Sequence, residues 1–122
     1  MPEHLFVYGT LQREQPHHAL LSDCRYLGPA WVQGSLYAMP EGFPAATPEG
    51  LGDVHGELYE LPDYADFLLR ELDAYEDVAQ GLFVRARLRV GEREAWVYWA
   101  GPALRSSLAA LRPQASGRWP AT

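Results

Sequence analysis

The chain contains no lysine, so its ten basic residues are all arginines, and sixteen acidic residues outnumber them. The formal net charge at pH 7 is −6, and the arginines form no basic cluster. Proteins that bind nucleic acids usually present a basic patch to the phosphates. The charge pattern therefore argues against a nucleic-acid partner.

Cysteine is nearly absent, because Cys24 is the single cysteine among 122 residues. A lone cysteine cannot close an internal disulfide, and it cannot supply the paired ligands of a structural zinc site. We expect Cys24 to serve as a small buried apolar side chain rather than as a nucleophile.

Long apolar runs are also missing. No stretch approaches the roughly 20 apolar residues of a membrane span, and residues 1–4 do not resemble the basic start of a signal peptide. The sequence therefore predicts a cytoplasmic protein without a membrane partner. Its length and its 48% hydrophobic residues predict one domain, 1–122, whose core needs no disulfide or metal.

The chain does contain, near its start, a short apolar run typical of a strand, Leu5 to Tyr8, which stops at Gly9. A strand followed at once by glycine lets the backbone bend sharply and aim successive N–H groups at one point. Such a concavity can bind a carboxylate, a phosphate or an oxyanion. The alternative is that Gly9 only ends a core strand, and the local pattern is compatible with both.

Alternating apolar residues and capping signals divide the rest of the chain into strands and helices. Strands are predicted at 5–8, 31–38, 54–61, 83–90 and 94–100, helices at 64–75 and 103–111, and a loop at 40–53. Asp63 is the predicted N-cap of the first helix. One helix between strands and one after them indicate an α+β fold with a curved, largely antiparallel sheet.

Several polar residues in these elements have ordinary structural explanations. Arg87 and Arg89 fall on the predicted solvent face of the strand 83–90. His17 and His18 are adjacent, so on a helix they would point in different directions and could not share a metal. We expect them to be surface residues or to support a neighbouring loop.

Five segments of the chain follow the order of motifs in one known family. They are Val7-Tyr8-Gly9-Thr10-Leu11, Gly42-Phe43-Pro44-Ala45, Val54-His55-Gly56-Glu57-Leu58-Tyr59, Leu72-Asp73-Ala74-Tyr75-Glu76 and Ser116-Gly117-Arg118-Trp119. Together they resemble the γ-glutamylcyclotransferase-like family, in particular its γ-glutamylamine cyclotransferase-like branch. The resemblance implies the fold of that family, a small mixed β-barrel with flanking helices.

The resemblance also implies a site. The first segment corresponds to the family's loop that binds the γ-glutamyl part of the substrate, largely through backbone groups, which assigns substrate binding to Tyr8, Gly9, Thr10 and Leu11. The glutamate of the family's Leu-Asp-x-aromatic-Glu segment is the acid/base of the reaction. That glutamate matches Glu76.

Two departures from the family pattern bear on the site. The family usually shows Tyr-x-Arg where this chain has Phe83-Val84-Arg85, so Phe83 is expected at the substrate without the hydrogen bond of a phenol. Arg85 is expected to support the site by pairing with Asp73 or another carboxylate. The glutathione-specific branch has serine where this chain has Thr10, which disfavours glutathione as the substrate.

The implied reaction needs one carboxyl group and no metal or cofactor. In a γ-glutamyl amide, the α-amino group of the substrate attacks its own γ-carbonyl, and ring closure gives 5-oxoproline and a free amine. Because attacker and target belong to one molecule, orientation supplies much of the acceleration. One carboxyl can accept the proton of the attacking amine and return it to the leaving amine.

Other classes of function remain open at this stage. Without the resemblance, Glu76 would be a solvated charge at the end of a helix. The same fold could serve as a non-catalytic module that binds a small molecule. A third alternative is an interaction protein that uses exposed tryptophan and tyrosine side chains and has no pocket.

Overall fold

The computed structural model describes residues 2–120 of the chain. Its regular elements are, in chain order, strand β1 (His4–Val7), strand β2 (Arg25–Gln33), strand β3 (Ser35–Ala38), strand β4 (Pro44–Thr47), strand β5 (Asp53–Glu60), helix α1 (Ala65–Tyr75), strand β6 (Phe83–Val90), strand β7 (Arg93–Ala100) and helix α2 (Pro102–Leu108). Short 3₁₀ turns lie at His18–Leu21 and Val78–Gln80.

Five of the strands form one sheet, in the order β2-β5-β1-β7-β6. Neighbouring strands are antiparallel except for β1 and β7, which run parallel. The first strand of the chain is therefore the middle strand of the sheet. This arrangement confirms the predicted α+β fold with a largely antiparallel sheet.

The predicted barrel is wrong for residues 2–120. The outer strands β2 and β6 are not hydrogen-bonded to each other, so the five-stranded sheet stays open. The predicted strand 31–38 is also divided in two, because β3 leaves the main sheet and pairs with β4 in a separate two-stranded sheet. The strand β4 lies inside the stretch that was predicted as a loop.

Gly34 explains the division between β2 and β3. A Cβ atom at this position would lie 2.4 Å from the carbonyl oxygen of Thr47, which is closer than real Cβ atoms approach. Only glycine, which has no Cβ, lets the end of β4 come this near. The chain therefore turns out of the main sheet at this residue.

The start of α1 differs by one residue from the prediction. Tyr64, not Asp63, occupies the N-cap position, and no side chain caps the helix there. The first helical hydrogen bond runs from the Leu68 N–H to the Tyr64 carbonyl, with an N···O distance of 3.0 Å. The predicted end of the helix is confirmed, since α1 stops at Tyr75.

The apolar core covers both faces of the main sheet. Leu5 and Val7 pack with α1 and α2 on one face, whereas Phe6 and Tyr8 pack on the other face with β3 and β4. Because both clusters include residues of β1 and β7, they lie on the two faces of the same sheet. The assignment of residues 1–122 to one domain stays a prediction.

Two findings bear on the remaining structural expectations. Cys24 is partly buried against the helix-side cluster, and burial raises the pKa of its thiol to about 11. A thiol with this pKa holds its proton at neutral pH, which suits an apolar packing role. Neither helix found in residues 2–120 has the length and apolar character needed to cross a membrane.

Candidate active site

A cavity of about 350 Å³ lies where β1 ends, beside the end of α1. Its lining includes Tyr8, Gly9, Thr10, Leu11, Phe43, Pro44, Tyr75, Glu76, Phe83 and Tyr98. The structure thus brings every residue that was predicted to bind substrate into one cavity with Glu76. Asp73 and Arg85 are not among its lining residues.

The Gly9 loop, residues 9–13, forms one wall of this cavity. Its shape depends on Gly9, because a Cβ atom there would lie 2.6 Å from Cγ of Pro44. The loop is folded by two backbone hydrogen bonds, from the Gln12 N–H to the Gly9 carbonyl at 3.0 Å and from the His17 N–H to the Thr10 carbonyl at 3.1 Å.

The loop presents unused hydrogen-bond donors. Within residues 2–120, the backbone N–H groups of Thr10 and Leu11 have no protein acceptor. Successive backbone N–H groups in a turn of this kind can bind an anion or an oxygen that gains negative charge. The loop can therefore hold a carboxylate or a polarised carbonyl oxygen.

A chain of polar side chains ties the Gly9 loop to the end of α1. The hydroxyl oxygens of Thr10 and Tyr75 lie 2.6 Å apart, and the Tyr75 hydroxyl is 2.9 Å from Nδ1 of His17. The neighbouring His18 uses its own Nδ1 to bond the Leu11 carbonyl at 2.9 Å. The two histidines thus have different partners and both support the loop.

Glu76 occupies the C-cap position of α1. Its N–H donates to the Leu72 carbonyl at 2.8 Å, as in a regular helix. The next residue, Asp77, has φ of 52° in the left-handed region, which aspartate tolerates better than most residues and which ends the helix. After Glu76, residues 77–81 do not line the cavity, and the chain contributes to its lining again at Leu82.

The carboxyl group of Glu76 is suited to proton transfer. Among the described residues it accepts no hydrogen bond, and no oxygen of this side chain is sealed from solvent. Burial, with a smaller contribution from the charge of Asp77, raises the pKa of Glu76 to about 8. A carboxyl with this pKa is a much stronger base than an ordinary glutamate near neutral pH.

Tyr8 and Tyr98 line the same cavity as Glu76. The buried Tyr8 hydroxyl donates to the backbone carbonyl of Tyr98 and accepts from the Ala46 N–H at 3.3 Å. Burial and the nearby charge of Glu76 raise the pKa of Tyr8, so its phenol stays protonated. Tyr8 is therefore a fixed structural donor that joins β1 to β7 and β4.

Asp73 and Arg85 form a pair that contacts Tyr98 without lining the cavity. Arg85 Nε donates to Asp73 Oδ1 at 2.8 Å, and the Tyr98 hydroxyl donates to the same oxygen at 2.7 Å. The guanidinium of Arg85 also lies 4.4 Å from the ring centroid of Trp96. The pair thus fixes Tyr98 through its hydroxyl and does not face the cavity itself.

Two phenylalanine side chains form an apolar part of the cavity wall. Phe83 is buried, and its ring centroid lies 6.2 Å from that of Phe43. Sequence reasoning named Phe83 but missed Phe43, Pro44 and Tyr98. The segment Gly42-Phe43-Pro44-Ala45 was recognised as a family motif, and that match was the available signal for two of the three.

Comparisons with known proteins assign the chain to a family. Residues 5–121 match the model of a family described as "Gamma-glutamyl cyclotransferase, AIG2-like". A Vibrio cholerae protein named "Putative gamma-glutamylcyclotransferase" is 31% identical over 97 residues, which are 79% of this chain and 81% of that protein. A Bacillus subtilis protein named "Putative gamma-glutamylcyclotransferase YkqA" is 29% identical over 117 residues, which are 94% of this chain.

The chain spans only 40% of the length of the Bacillus subtilis relative. Among solved structures, an AIG2-like protein from Mus musculus is similar with a TM-score of 0.74 and 27% identity. That match covers 93% of this chain and 86% of the mouse protein. The overall fold is therefore similar to that of a protein of almost the same extent.

Proposed function

The chain belongs to the AIG2-like γ-glutamyl cyclotransferase family, and on that basis we propose that it converts a γ-glutamyl amine or a γ-glutamyl-amino acid into 5-oxoproline and the free amine. One observation carries the proposal. A single cavity is lined both by Thr10 and Leu11, whose backbone N–H groups have no protein acceptor in residues 2–120, and by Glu76, whose pKa is about 8.

The Gly9 loop binds the charged or polarised oxygens of the substrate. The N–H groups of Thr10 and Leu11 donate to the α-carboxylate of the γ-glutamyl group or to the γ-carbonyl oxygen as it gains negative charge. Phe43 and Phe83 enclose the rest of the substrate in an apolar wall. Held in this way, the α-amino group lies near the γ-carbon that it attacks.

Glu76 moves the proton. It accepts a proton from the α-amino nitrogen while that nitrogen forms its bond to the γ-carbon. It then returns the proton to the leaving nitrogen while the original carbon–nitrogen bond breaks. The products are the closed 5-oxoproline ring and a neutral amine, and Glu76 ends the cycle in the state in which it began.

The charges around the cavity favour an amine over an amino acid as the leaving group. In the described part of the chain, no arginine lines the cavity, and Glu76 is its acidic side chain. The α-carboxylate of the substrate can use the loop amides. A second carboxylate, on the leaving group, would meet apolar walls and Glu76, and the exposed His17 is the one basic side chain among the lining residues that the structure describes.

A paired-substrate assay tests the proposal. The protein is incubated with γ-glutamyl-phenethylamide and with γ-glutamyl-phenylalanine, which differ by one carboxylate, and 5-oxoproline and free amine are both quantified. Equal amounts of the two products are expected, with the higher kcat/KM for the amide without the second carboxylate. Glu76→Gln is the control for background cyclisation.

The outcomes separate the parts of this proposal. Equal kcat/KM values for the two substrates would keep the cyclotransferase activity and remove the preference for an amine. Release of 5-oxoproline from neither substrate would contradict the activity. Binding of 5-oxoproline without any turnover would indicate the non-catalytic binding module instead.

A further inference from the structure

Glu57 is a charged residue in the middle of the sheet that the proposed reaction does not use. It belongs to β5, which is hydrogen-bonded on both sides, and it lies opposite Val7 of β1 and Pro29 of β2. Only 13% of its side chain is exposed. A carboxylate in this position loses much of its hydration, so its partners in the protein matter.

Those partners belong chiefly to the end of the Gly9 loop. Glu57 Oε1 accepts the backbone N–H of Arg13 at 2.9 Å, and Oε2 accepts Arg13 Nε at 3.3 Å. The Tyr59 hydroxyl donates to Oε1 at 2.9 Å. The Arg13 guanidinium also lies 3.9 Å from the centre of the Tyr26 ring.

The side-chain part of this contact contributes little to stability. About half of the Arg13 side chain is exposed, and exposed ion pairs contribute little to stability because water screens them. The bond from the Arg13 backbone is different, because it fixes the course of the main chain. A charge-assisted bond to a backbone N–H is stronger than a neutral one and restricts the residues next to it.

A second tether acts on the same loop. The side-chain amide of Gln12 donates to the carbonyls of Tyr8 and Trp119, both at 2.9 Å. Neither Gln12, Arg13 nor Glu57 lines the cavity. Within residues 2–120, the loop is therefore held by residues that do not line the cavity, whereas Thr10 and Leu11, whose backbone N–H groups have no protein acceptor, do line it.

We propose that Glu57 is a positioning residue that holds the Gly9 loop through the Arg13 backbone, so that the Thr10 and Leu11 amides stay in place to bind substrate. The consequence for substrate binding rests on the proposed function. The effect on the loop itself does not, and the two can be measured separately.

Three variants distinguish the backbone bond from the ion pair. Glu57→Ala removes every contact, Glu57→Gln keeps an oxygen that can accept the Arg13 N–H, and Arg13→Ala removes the ion pair but keeps the backbone donor. Glu49→Ala is the matched control, since Glu49 pairs with Arg105 at 2.7 Å and does not line the cavity.

Hydrogen exchange and kinetics then give two independent results. Glu57→Ala is expected to speed amide exchange of Gln12 and His17, whose N–H groups bond the Gly9 and Thr10 carbonyls, and to raise KM roughly tenfold, with a much smaller change in kcat. Glu57→Gln and Arg13→Ala are expected to stay near the wild type in both measurements, as is Glu49→Ala.

Two results would overturn the proposal. One is unchanged amide exchange of Gln12 and His17 in Glu57→Ala. The other is an equal loss in Arg13→Ala and Glu57→Ala, because the ion pair would then hold the loop. If exchange responds as expected while no γ-glutamyl amide is turned over by the wild type, Glu57 holds the loop and the proposed function is wrong.

Discussion

The hydroxyl oxygens of Thr10 and Tyr75 lie 2.6 Å apart, although the two residues are separated by 65 positions in the chain. Thr10 belongs to the Gly9 loop, and Tyr75 is the last residue of α1 and directly precedes Glu76. This hydrogen bond is thus a direct link between the proposed binding loop and the proposed acid/base.

Tyr75→Phe should weaken this link while keeping the aromatic ring. The substitution removes the contacts of the hydroxyl with Thr10 and with His17. Each such hydrogen bond is worth about 1 kcal/mol, so kcat/KM should fall roughly five- to thirtyfold. The matched control is Tyr64→Phe, which removes the hydroxyl that bonds Asp23 beside the start of the same helix. Steady-state kinetics of both variants checks the prediction, and equal values for the two would contradict it.

Glu76→Gln should abolish most turnover, because glutamine is nearly isosteric with glutamate but cannot accept and return a proton. The expected loss in kcat is roughly 10²–10⁴-fold. Asp77→Asn is the control, since asparagine also tolerates the left-handed backbone at that position. Near wild-type release of 5-oxoproline by Glu76→Gln would show that another group moves the proton.

The raised pKa of Glu76 should also be visible in stability. Because its pKa rises from 4.5 to about 8 on folding, the folded chain binds more protons than the unfolded chain between these values. This contribution to the free energy of unfolding is full below the unfolded pKa and is lost as pH rises through about 8.

Glu76→Gln cannot ionise, so it lacks this pH dependence. The melting temperature of the wild type minus that of Glu76→Gln is expected to decrease from about pH 5 to about pH 9. Thermal unfolding of both proteins across this range measures the difference. A difference that does not change with pH would contradict the raised pKa.

Gly9→Ala should disturb the cavity by overpacking. The new methyl group would meet Cγ of Pro44 at 2.6 Å, and such overpacking typically costs about 1–3 kcal/mol of stability. In the double variant with Pro44→Ala, the nearest remaining side-chain atom of residue 44 is Cβ, at 4.0 Å from the added atom. The double variant should therefore recover stability relative to Gly9→Ala, as judged by denaturant unfolding.

The pair Asp73 and Arg85 should be coupled in stability and not in chemistry. A double-mutant cycle with Asp73→Asn and Arg85→Gln is expected to give a coupling energy of about 1 kcal/mol, because both side chains are partly buried and share Tyr98 as a partner. Additive effects of the two substitutions on unfolding would refute the pairing.

Four of the five strands of the main sheet could be predicted to within one residue because their signals are local, whereas β2 begins at Arg25 and was predicted only from residue 31. In the strand 83–90 every second residue is apolar, and the predicted bounds of this strand are the observed ones. The division at Gly34 is not local, since it depends on the approach of the Thr47 carbonyl. The strand β4 was not predictable for a similar reason, because in residues 2–120 its strand partner is β3 alone and its composition is that of a loop.

The candidate site was predictable to the extent that motifs mark it. Glu76 was chosen among sixteen acidic residues by its place in a motif, and no charge pattern distinguishes it. Its raised pKa comes from burial that only the folded chain creates. The role proposed for Glu57 could not be predicted from the sequence either, because its partner Arg13 is 44 positions away and only folding brings the two together.

The position of β1 in the middle of the sheet has a consequence for synthesis on the ribosome. The strand made first pairs with β5 on one side and with β7 on the other, and both follow much later in the chain. Residues 4–7 must therefore wait for β5 until residue 60 has left the exit tunnel, and for β7 until residue 100 has left it. A ribosome stalled at codon 90 would carry a chain in which at least one edge of β1 is unpaired and accessible to chaperones and proteases.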